Sequence, residues 1–469
     1  MTLSLFFKTE TGYFFVPFDL AREIHWKNSF PNELTVKKLK LIFACIFTLA
    51  CWQARAAFNV DTSAKAAILI NQETGAVLYE KNAHVPLYPA SITKIITALY
   101  ALEKKGDRLG EMVVATSDAI AAVHPHTRRT FDRANPPYRL EFGGTHIGIK
   151  AGEVLSLQTL LHGLMLASGN DAANVIAQHV SGSVPQFMNE LNAFIRSKGC
   201  QETVLYTPHG LPHPEHKTTA YDMAKLTRVA LQYPCFREIV KMVKASRPAT
   251  NKQPESEFYQ HNALLKSGKF YYPKATGVKT GYTTAGGYTL VASAEDENRK
   301  LIAVLLGCEH LHERYKDAIA LFEAAFKETR VARTLFSKEF DLFSCMVKGG
   351  KRPLQAAILS DLVLTYYPSE EPRFQATIEW NQVALPIHSG QHVGQIRVTN
   401  DSGKVLLQMP LFATQLVEPT LLYRIESNWL TYKKILSQKT GLLMGGMGMA
   451  ILTLAFYLYF HRQKKNLSP

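Results

Sequence analysis

Ser91 and Lys94 are the residues whose types and spacing most directly suggest chemistry in this chain. Ser91 is the only serine with a lysine three positions later. Residues i and i+3 share one face of a helix, so a hydroxyl and an amine would meet one turn apart. A serine hydroxyl attacks poorly until a neighbouring base takes its proton, and a desolvated lysine can be that base. Two other clusters offer related chemistry. Ser168-Gly169-Asn170 supplies a second hydroxyl and an amide; Lys279-Thr280-Gly281 supplies a cation, a hydroxyl and a glycine. Each alone is equally compatible with a solvated helix face, a pair of helix caps or a turn, so the elements around them decide.

Ser91 follows Pro89, a residue that suits a helix start because its missing N–H costs little there. It opens a helical apolar pattern, Ile92, Ile95, Ile96, Leu99 and Leu102. Ser156 caps a second such pattern (Leu157, Leu160, Leu161, Leu164, Met165), which stops at Ala167 to Asn170 before a third begins at Asp171. The polar tripeptide is thus pinned between two helices. Further helical patterns run over 185–198 and 219–232, separated by a loop containing Pro208, Gly210, Pro212 and Pro214. Residues 117–122 read as another helix start. Lys279 lies in Gly277 to Tyr282, followed by strand-like runs at 288–294 and 300–307 and a closing helix at 312–328. Runs at 66–71 and 76–80, split by the turn-like Gln72-Glu73-Thr74-Gly75, predict an early hairpin. Strands at both ends with helices between predict an α+β domain whose chain ends share one antiparallel sheet.

With 469 residues, 46% of them hydrophobic and 20% charged, the chain fits two or three folding units and excludes a disordered protein. The formal net charge of +14 would suit an anionic partner. Part of it sits in lysine runs beside apolar segments, and no zinc-finger or RNA-binding spacing is present, so no nucleic-acid partner is expected. Cys45 and Cys51 fall in an N-terminal apolar stretch; Cys200, Cys235, Cys308 and Cys345 are scattered without a metal knuckle or disulfide framework. The domain plan is an unassigned extension 1–35, a signal peptide 36–56, a catalytic domain 57–332, a small β-rich domain 333–420, a transmembrane helix 441–460 and a basic cytoplasmic tail 461–469. The signal reading rests on Lys37, Lys38 and Lys40, an apolar run from Leu41 to Trp52, and the small-x-small site Ala54-Arg55-Ala56. A start of translation at Val36 accompanies it as an expectation, and a lipoprotein at Cys51 ranks below ordinary cleavage. The run Gly441 to Phe460 is uncharged and long enough to span a bilayer, and the basic residues after it favour a cytoplasmic C-terminus.

The three clusters occur together in the order and contexts of the penicillin-recognising serine enzymes. A second Lys-Thr-Gly, at 439–441, abuts the span without strand context and is read as coincidence. The chain resembles the low-molecular-mass, class C penicillin-binding proteins, which are serine D-alanyl-D-alanine carboxypeptidases. The resemblance runs over Pro89 to Thr93, Ser168 to Ala173, Thr218 to Ala224, Asn262 to Leu265, Gly277 to Gly287 and Arg314, and reaches Gly390-Gln391-x-Val393-Gly394. It covers about Ala57 to Glu418. It departs in a longer loop at 124–144 and in a true span where many members carry an amphipathic anchor. What it implies is a penicillin-binding, β-lactamase-like transpeptidase domain, then a small all-β domain. It also implies an acyl-enzyme on Ser91, with Lys94 as base and Ser168 relaying a proton to the leaving amine. Asn170 would orient the substrate amide, while Lys279, Thr280 and Gly281 bind the terminal carboxylate with Arg314 as helper. Backbone N–H groups of Ser91 and Tyr282 would form the oxyanion hole. The implied partners are a peptidoglycan stem peptide ending in D-Ala-D-Ala, β-lactams as inhibitors and the inner membrane, with the catalytic domain on the periplasmic side. No cofactor and no metal are expected.

Four other readings share some of these residues. A D,D-endopeptidase acting on cross-links uses the same motifs, and a β-lactam sensor would be acylated with little turnover. A secreted β-lactamase needs a carboxylate base after the second motif, and the nearest, Glu202, lacks the asparagine such a loop carries. Histidines 209, 213 and 216 resemble no His-Glu-x-x-His metal motif. The histidine- and arginine-rich loop 124–144 reads as a solvated insertion.

Overall fold

The computed structural model describes residues 7–9, 12–14, 60–128, 130, 131 and 135–431. The expected signal peptide 36–56, the apolar run 441–460 and the tail 461–469 lie outside them, as does most of the extension 1–35. Among the described residues no helix is long and apolar enough to cross a membrane.

The described part divides into two compact units, the first reaching to Arg330 and including Tyr367–Glu371. Its centre is a five-stranded sheet of β1 (Ala66–Asn71), β2 (Val77–Lys81), β3 (Ala275–Thr283), β4 (Gly287–Glu295) and β5 (Lys300–Cys308), in the order β3-β4-β5-β1-β2. All neighbours are antiparallel, and β5 pairs directly with β1, so the chain's early and late strands meet in mid-sheet. β5 shows why the sheet is buried on both faces. Ile302, Val304 and Leu306 point into one core while Leu301, Ala303 and Leu305 point into another, as the two-residue period of a strand requires.

On the first face pack α1 (Thr93–Lys105), α2 (Leu157–Met165), α3 (Asn170–Ser181), α4 (Val184–Ser197) and α5 (Ala220–Ala230). On the second lies α6 (Glu313–Phe326). Ser156, Ser183 and Thr219 each cap the following helix by accepting a backbone N–H. Elements that escaped the sequence reading include a helix at Pro234–Lys241, a hairpin of Lys244–Arg247 with Ser256–Tyr259, and the short strand pairs Met112–Val114 with Val154–Ser156 and Ala122–Val123 with Leu140–Glu141.

The segment Tyr367–Glu371 lies beyond the boundary expected at 332/333, yet it belongs to this unit. Arg299 is the physical reason. Its guanidinium is buried and donates to Ala325 O (2.6 Å), Glu328 Oε2 (3.0 Å), Ser369 Oγ (3.1 Å) and Glu370. A buried cation needs such partners, and two of them come from this strap.

Among the described residues, the second unit holds Val331–Tyr366 and 372–431, with 7–9 and 12–14. β6 (Val331–Phe336) pairs with β9 (Leu362–Tyr366). A five-stranded antiparallel sheet has the order β7-β8-β12-β11-β10, with β7 Phe343–Cys345, β8 Leu354–Ala357, β10 Phe374–Trp380, β11 His392–Asn400 and β12 Val405–Ala413. Val393, Ile396, Val398 and Leu411 centre its own apolar core.

Candidate active site

Ser91 occupies a single 3₁₀ turn, Ala90–Ile92, that runs into α1, rather than the α-helix itself. The preceding residue, Ala90, has φ +54°, a left-handed conformation that costs a non-glycine residue roughly 1–3 kcal/mol. Its surroundings hold it there. Thr93 Oγ1 donates to Ala90 O (2.8 Å), and Thr289 Oγ1 from β4 donates to Pro89 O (2.9 Å). His216 completes the chain. Its Nδ1 accepts from Tyr206 N (3.0 Å), so its proton sits on Nε2 and points at Thr93 Oγ1 (3.0 Å). Burial, and then the charge of Arg128, push His216 down to about 3, which keeps that tautomer neutral. Gly210 lies against the same turn with φ +89°; a Cβ there would sit 1.9 Å from Ala90 O.

Lys94 is fully buried, and three oxygens surround its amine: Ser91 Oγ at 3.0 Å, Asn170 Oδ1 at 2.7 Å and the His209 carbonyl at 2.7 Å. Burial, then the like charge of Lys279, hold its pKa well below the ordinary lysine range, against the opposing pull of Asp171. A neutral amine has two N–H groups and one lone pair. The two carbonyl oxygens can only accept, so they take both N–H groups and leave the lone pair toward the Ser91 hydroxyl. The geometry is that of a base beside its proton donor.

The turn between α2 and α3 delivers Ser168 and Asn170. Ser168 is buried and left-handed at φ +61°. Asn170 N donates to Thr145 O (2.9 Å), and the Asp171 carboxylate accepts Ile147 N and Ile149 N, both at 3.0 Å, which pins the turn. Asn170 is therefore the first residue of α3, one position earlier than the sequence pattern implied.

Lys279 and Thr280 lie on β3, an edge strand of the sheet, both buried. Lys279 Nζ donates to Thr280 O (3.0 Å). Burial, and then the charge of Arg314, bring it down to about 7. Arg314 is itself buried and spends its donors on Gly281 O (2.8 Å), Thr289 O (3.0 Å) and Tyr315 Oη (3.2 Å). Its place is that of a brace on β3 and β4 that also presses on Lys279 electrostatically. Gly281 is required by closeness: a Cβ would fall 2.8 Å from Ser91 N and 2.5 Å from Thr289 Oγ1. Tyr282 follows with its side chain exposed, its ring 4.4 Å from that of Tyr288.

The structure thus joins Ser91, Lys94 and Asn170 by direct contact and sets β3 against the Ser91 amide. The His209 carbonyl is the member that sequence reasoning missed. Its one signal was a His-Gly pair in a proline-rich loop, where a glycine needing positive φ marks a close approach of backbone. Histidines 209, 213 and 216 serve as hydrogen-bonding and stacking groups, and among the described residues no group of His, Cys, Asp or Glu is arranged to hold a metal. Glu202 is exposed, its N–H tied to Asp222 (3.2 Å), a surface position as expected. A hydroxyl with a neutral amine at its flank, a second serine and a buried cation on an edge strand can together perform acyl transfer from a substrate bearing a carboxylate.

A family model described as D-alanyl-D-alanine carboxypeptidase matches residues 53–310. D-alanyl-D-alanine carboxypeptidase DacF of Bacillus subtilis is 30% identical over 379 residues, covering 79% of this chain and 91% of that protein. DacD of Salmonella typhimurium is 27% identical, covering 82% and 96% respectively. Among solved structures, D-alanyl-D-alanine carboxypeptidase DacD from Francisella tularensis superposes with a TM-score of 0.53 at 23% identity, over 77% of this chain and 95% of its own, a likeness of fold. A D-alanyl-D-alanine carboxypeptidase from Mycobacterium tuberculosis gives 0.50 at 28% identity, over 58% and 95%.

Proposed function

The chain belongs to the D-alanyl-D-alanine carboxypeptidase family, and from that premise we propose how its residues divide the reaction. It is a serine-type D-alanyl-D-alanine carboxypeptidase, a hydrolase that removes the terminal D-alanine from peptidoglycan stem peptides. Ser91 Oγ attacks the carbonyl carbon of the penultimate D-alanine as its proton passes to the lone pair of Lys94. The negative oxygen of the tetrahedral intermediate faces the N–H groups of Ser91 and Tyr282; one such donor is typically worth about 3 kcal/mol. The C–N bond then breaks, and the departing amine takes a proton through Ser168. Water attacks the Ser91 ester with Lys94 again as base and frees the shortened peptide. Asn170 orients the substrate amide, and Lys279 with Thr280 holds the terminal carboxylate. A β-lactam carries the same amide and carboxylate and would acylate Ser91.

The observation that carries this reading is the placement of Lys94 Nζ within hydrogen-bond reach of Ser91 Oγ while two carbonyl oxygens occupy its N–H groups. Ser91→Ala tests it. The expected result is loss of both D-alanine release and labelling by a fluorescent penicillin; labelling that persists refutes Ser91 as nucleophile. The sequence further supports a catalytic unit on the periplasmic face of the bacterial inner membrane, exported by residues 36–56 and anchored by 441–460. Protease protection of the C-terminal tail in right-side-out vesicles would test that placement.

A further inference from the structure

The insertion at 124–144 contains an arginine that cannot be an ordinary surface residue. Arg128 ends a short helix, Pro125–Arg128, and is 2% exposed. Its Nε donates to Arg139 O (3.0 Å) and its Nη2 to Pro137 O (2.8 Å), both within the insertion. Its Nη1 donates to Pro212 O (2.9 Å), in the loop that carries His209. The nearest carboxylate, Glu141, stands 3.5 Å away and is partly solvated. A buried guanidinium held mainly by three backbone carbonyls fixes the geometry of what it joins, because its planar fork matches them simultaneously.

What it joins matters to catalysis. The loop 207–216 has prolines at 208, 212 and 214, which lack N–H donors and cannot tie it down through backbone bonds. It has bonds of its own, among them Gly210 N to Thr207 Oγ1 (3.0 Å) and His216 N to His213 O (2.9 Å), and it is also held from outside. Thr97 Oγ1 donates to Pro208 O (2.6 Å) and Arg128 to Pro212 O, on either side of His209. The insertion makes a second contact beside the first. His209 Nδ1 accepts from Leu211 N (3.1 Å), so Nε2 bears the proton and donates to Tyr138 O (3.1 Å). Burial, then the charge of Arg128, keep His209 neutral.

We propose that Arg128 is a positioning residue of the catalytic centre: through Pro212 it clamps the loop 207–216 so that the His209 carbonyl holds Lys94 Nζ with its lone pair toward Ser91. The insertion is then an outer brace for the base, where the sequence suggested a solvated loop. The inference rests on Lys94 acting as base.

The test uses the full chain with Arg128→Met and Arg128→Lys, hydrogen exchange of the peptide spanning 207–216, and steady-state kinetics on a D-Ala-D-Ala peptide. The expected result is faster exchange confined to that loop, with α1 and α4 unchanged. A displacement near 1 Å typically costs about 10²-fold in turnover, so kcat should fall by that order in Arg128→Met while KM stays within about threefold. Arg128→Lys, which restores the charge but not the fork, should recover part of the loss. Glu141→Gln, a change at a partly solvated site, should leave kcat within about threefold, since the carbonyls carry the clamp. Unchanged exchange in both arginine variants would overturn the clamp. Faster loop exchange with unchanged kcat would overturn its link to Lys94, and a general loss of protection would reduce Arg128 to a stability residue. A loss in Glu141→Gln equal to that of Arg128→Met would transfer the effect to the ion pair and overturn the proposal.

Discussion

Two buried lysines act on one another electrostatically, one on helix α1 and one on strand β3, and their surroundings differ in kind. Lys94 meets three oxygens, two of them carbonyls that can only accept. Lys279 donates to a single backbone oxygen, its neighbour Thr280 O, and lies near the guanidinium of Arg314. Burial depresses both, yet their charges suit different tasks. The helix side supplies acceptors that a neutral amine satisfies and a lone pair for Ser91. The strand side leaves donor capacity for an anion, and a carboxylate arriving there would restore the charge that burial discourages. One residue type thus serves as base or as anchor according to the hydrogen-bonding company it keeps.

The comparison breaks most severely if Lys94 is removed. Lys94→Ala should lower the rate of Ser91 acylation by about 10³-fold, within the range for a general base, measured by stopped-flow or gel labelling with a fluorescent penicillin. Lys279→Ala should lower kcat/KM by about 10²-fold on peptides with a free terminal carboxylate and far less on amidated ones, because only the former offer the anchor a charge. An equal loss on both substrates would remove the distinction between the two lysines. Gly281→Ala probes the seam where strand and nucleophile touch. Its Cβ must displace either Thr289 or the Ser91 amide, so acylation should slow by about tenfold to a hundredfold while carboxylate affinity changes little.

The smallest effect concerns stability. Lys279 titrates at about 7 when folded, against about 10.5 for an unconstrained lysine. The unfolded chain therefore binds more protons across that window, and stability rises with pH from about 7 to about 10. Lys279→Met should flatten that rise and increase the melting temperature at neutral pH by several degrees, a gain in stability at the expense of activity. A lower melting temperature would show that the buried charge is not a cost.

Much of this site could be read from the chain because its parts are local. Ser91 and Lys94 meet across one helical turn, Ser168 and Asn170 share a tight link between helices, and Lys279 to Gly281 lie on one strand. The two-residue period of β5 and the caps at Ser156 and Thr219 likewise announce their elements. Long-range backbone chemistry left no such trace. The His209 carbonyl reaches Lys94 from a distant loop, and a carbonyl has no residue identity to recognise. The left-handed turn at Ala90 is imposed by Thr93, Thr289 and Gly210 together, so a propensity argument on alanine points the other way. Arg128 read as solvated because the insertion's composition is polar; only the fold reveals three carbonyls converging on it. The strap Tyr367–Glu371 escaped for the same reason, since Arg299 recruits it from well beyond the expected domain boundary.

The division of labour between the two lysines is tested most directly by the pH dependence of kcat/KM on a D-Ala-D-Ala peptide and on its C-terminal amide. Both should share a rising limb as Lys94 becomes neutral, and the carboxylate substrate alone should decline above about pH 7 as Lys279 loses its charge. A decline at the same pH for both substrates would contradict the assignment of Lys279 as carboxylate anchor and Lys94 as base.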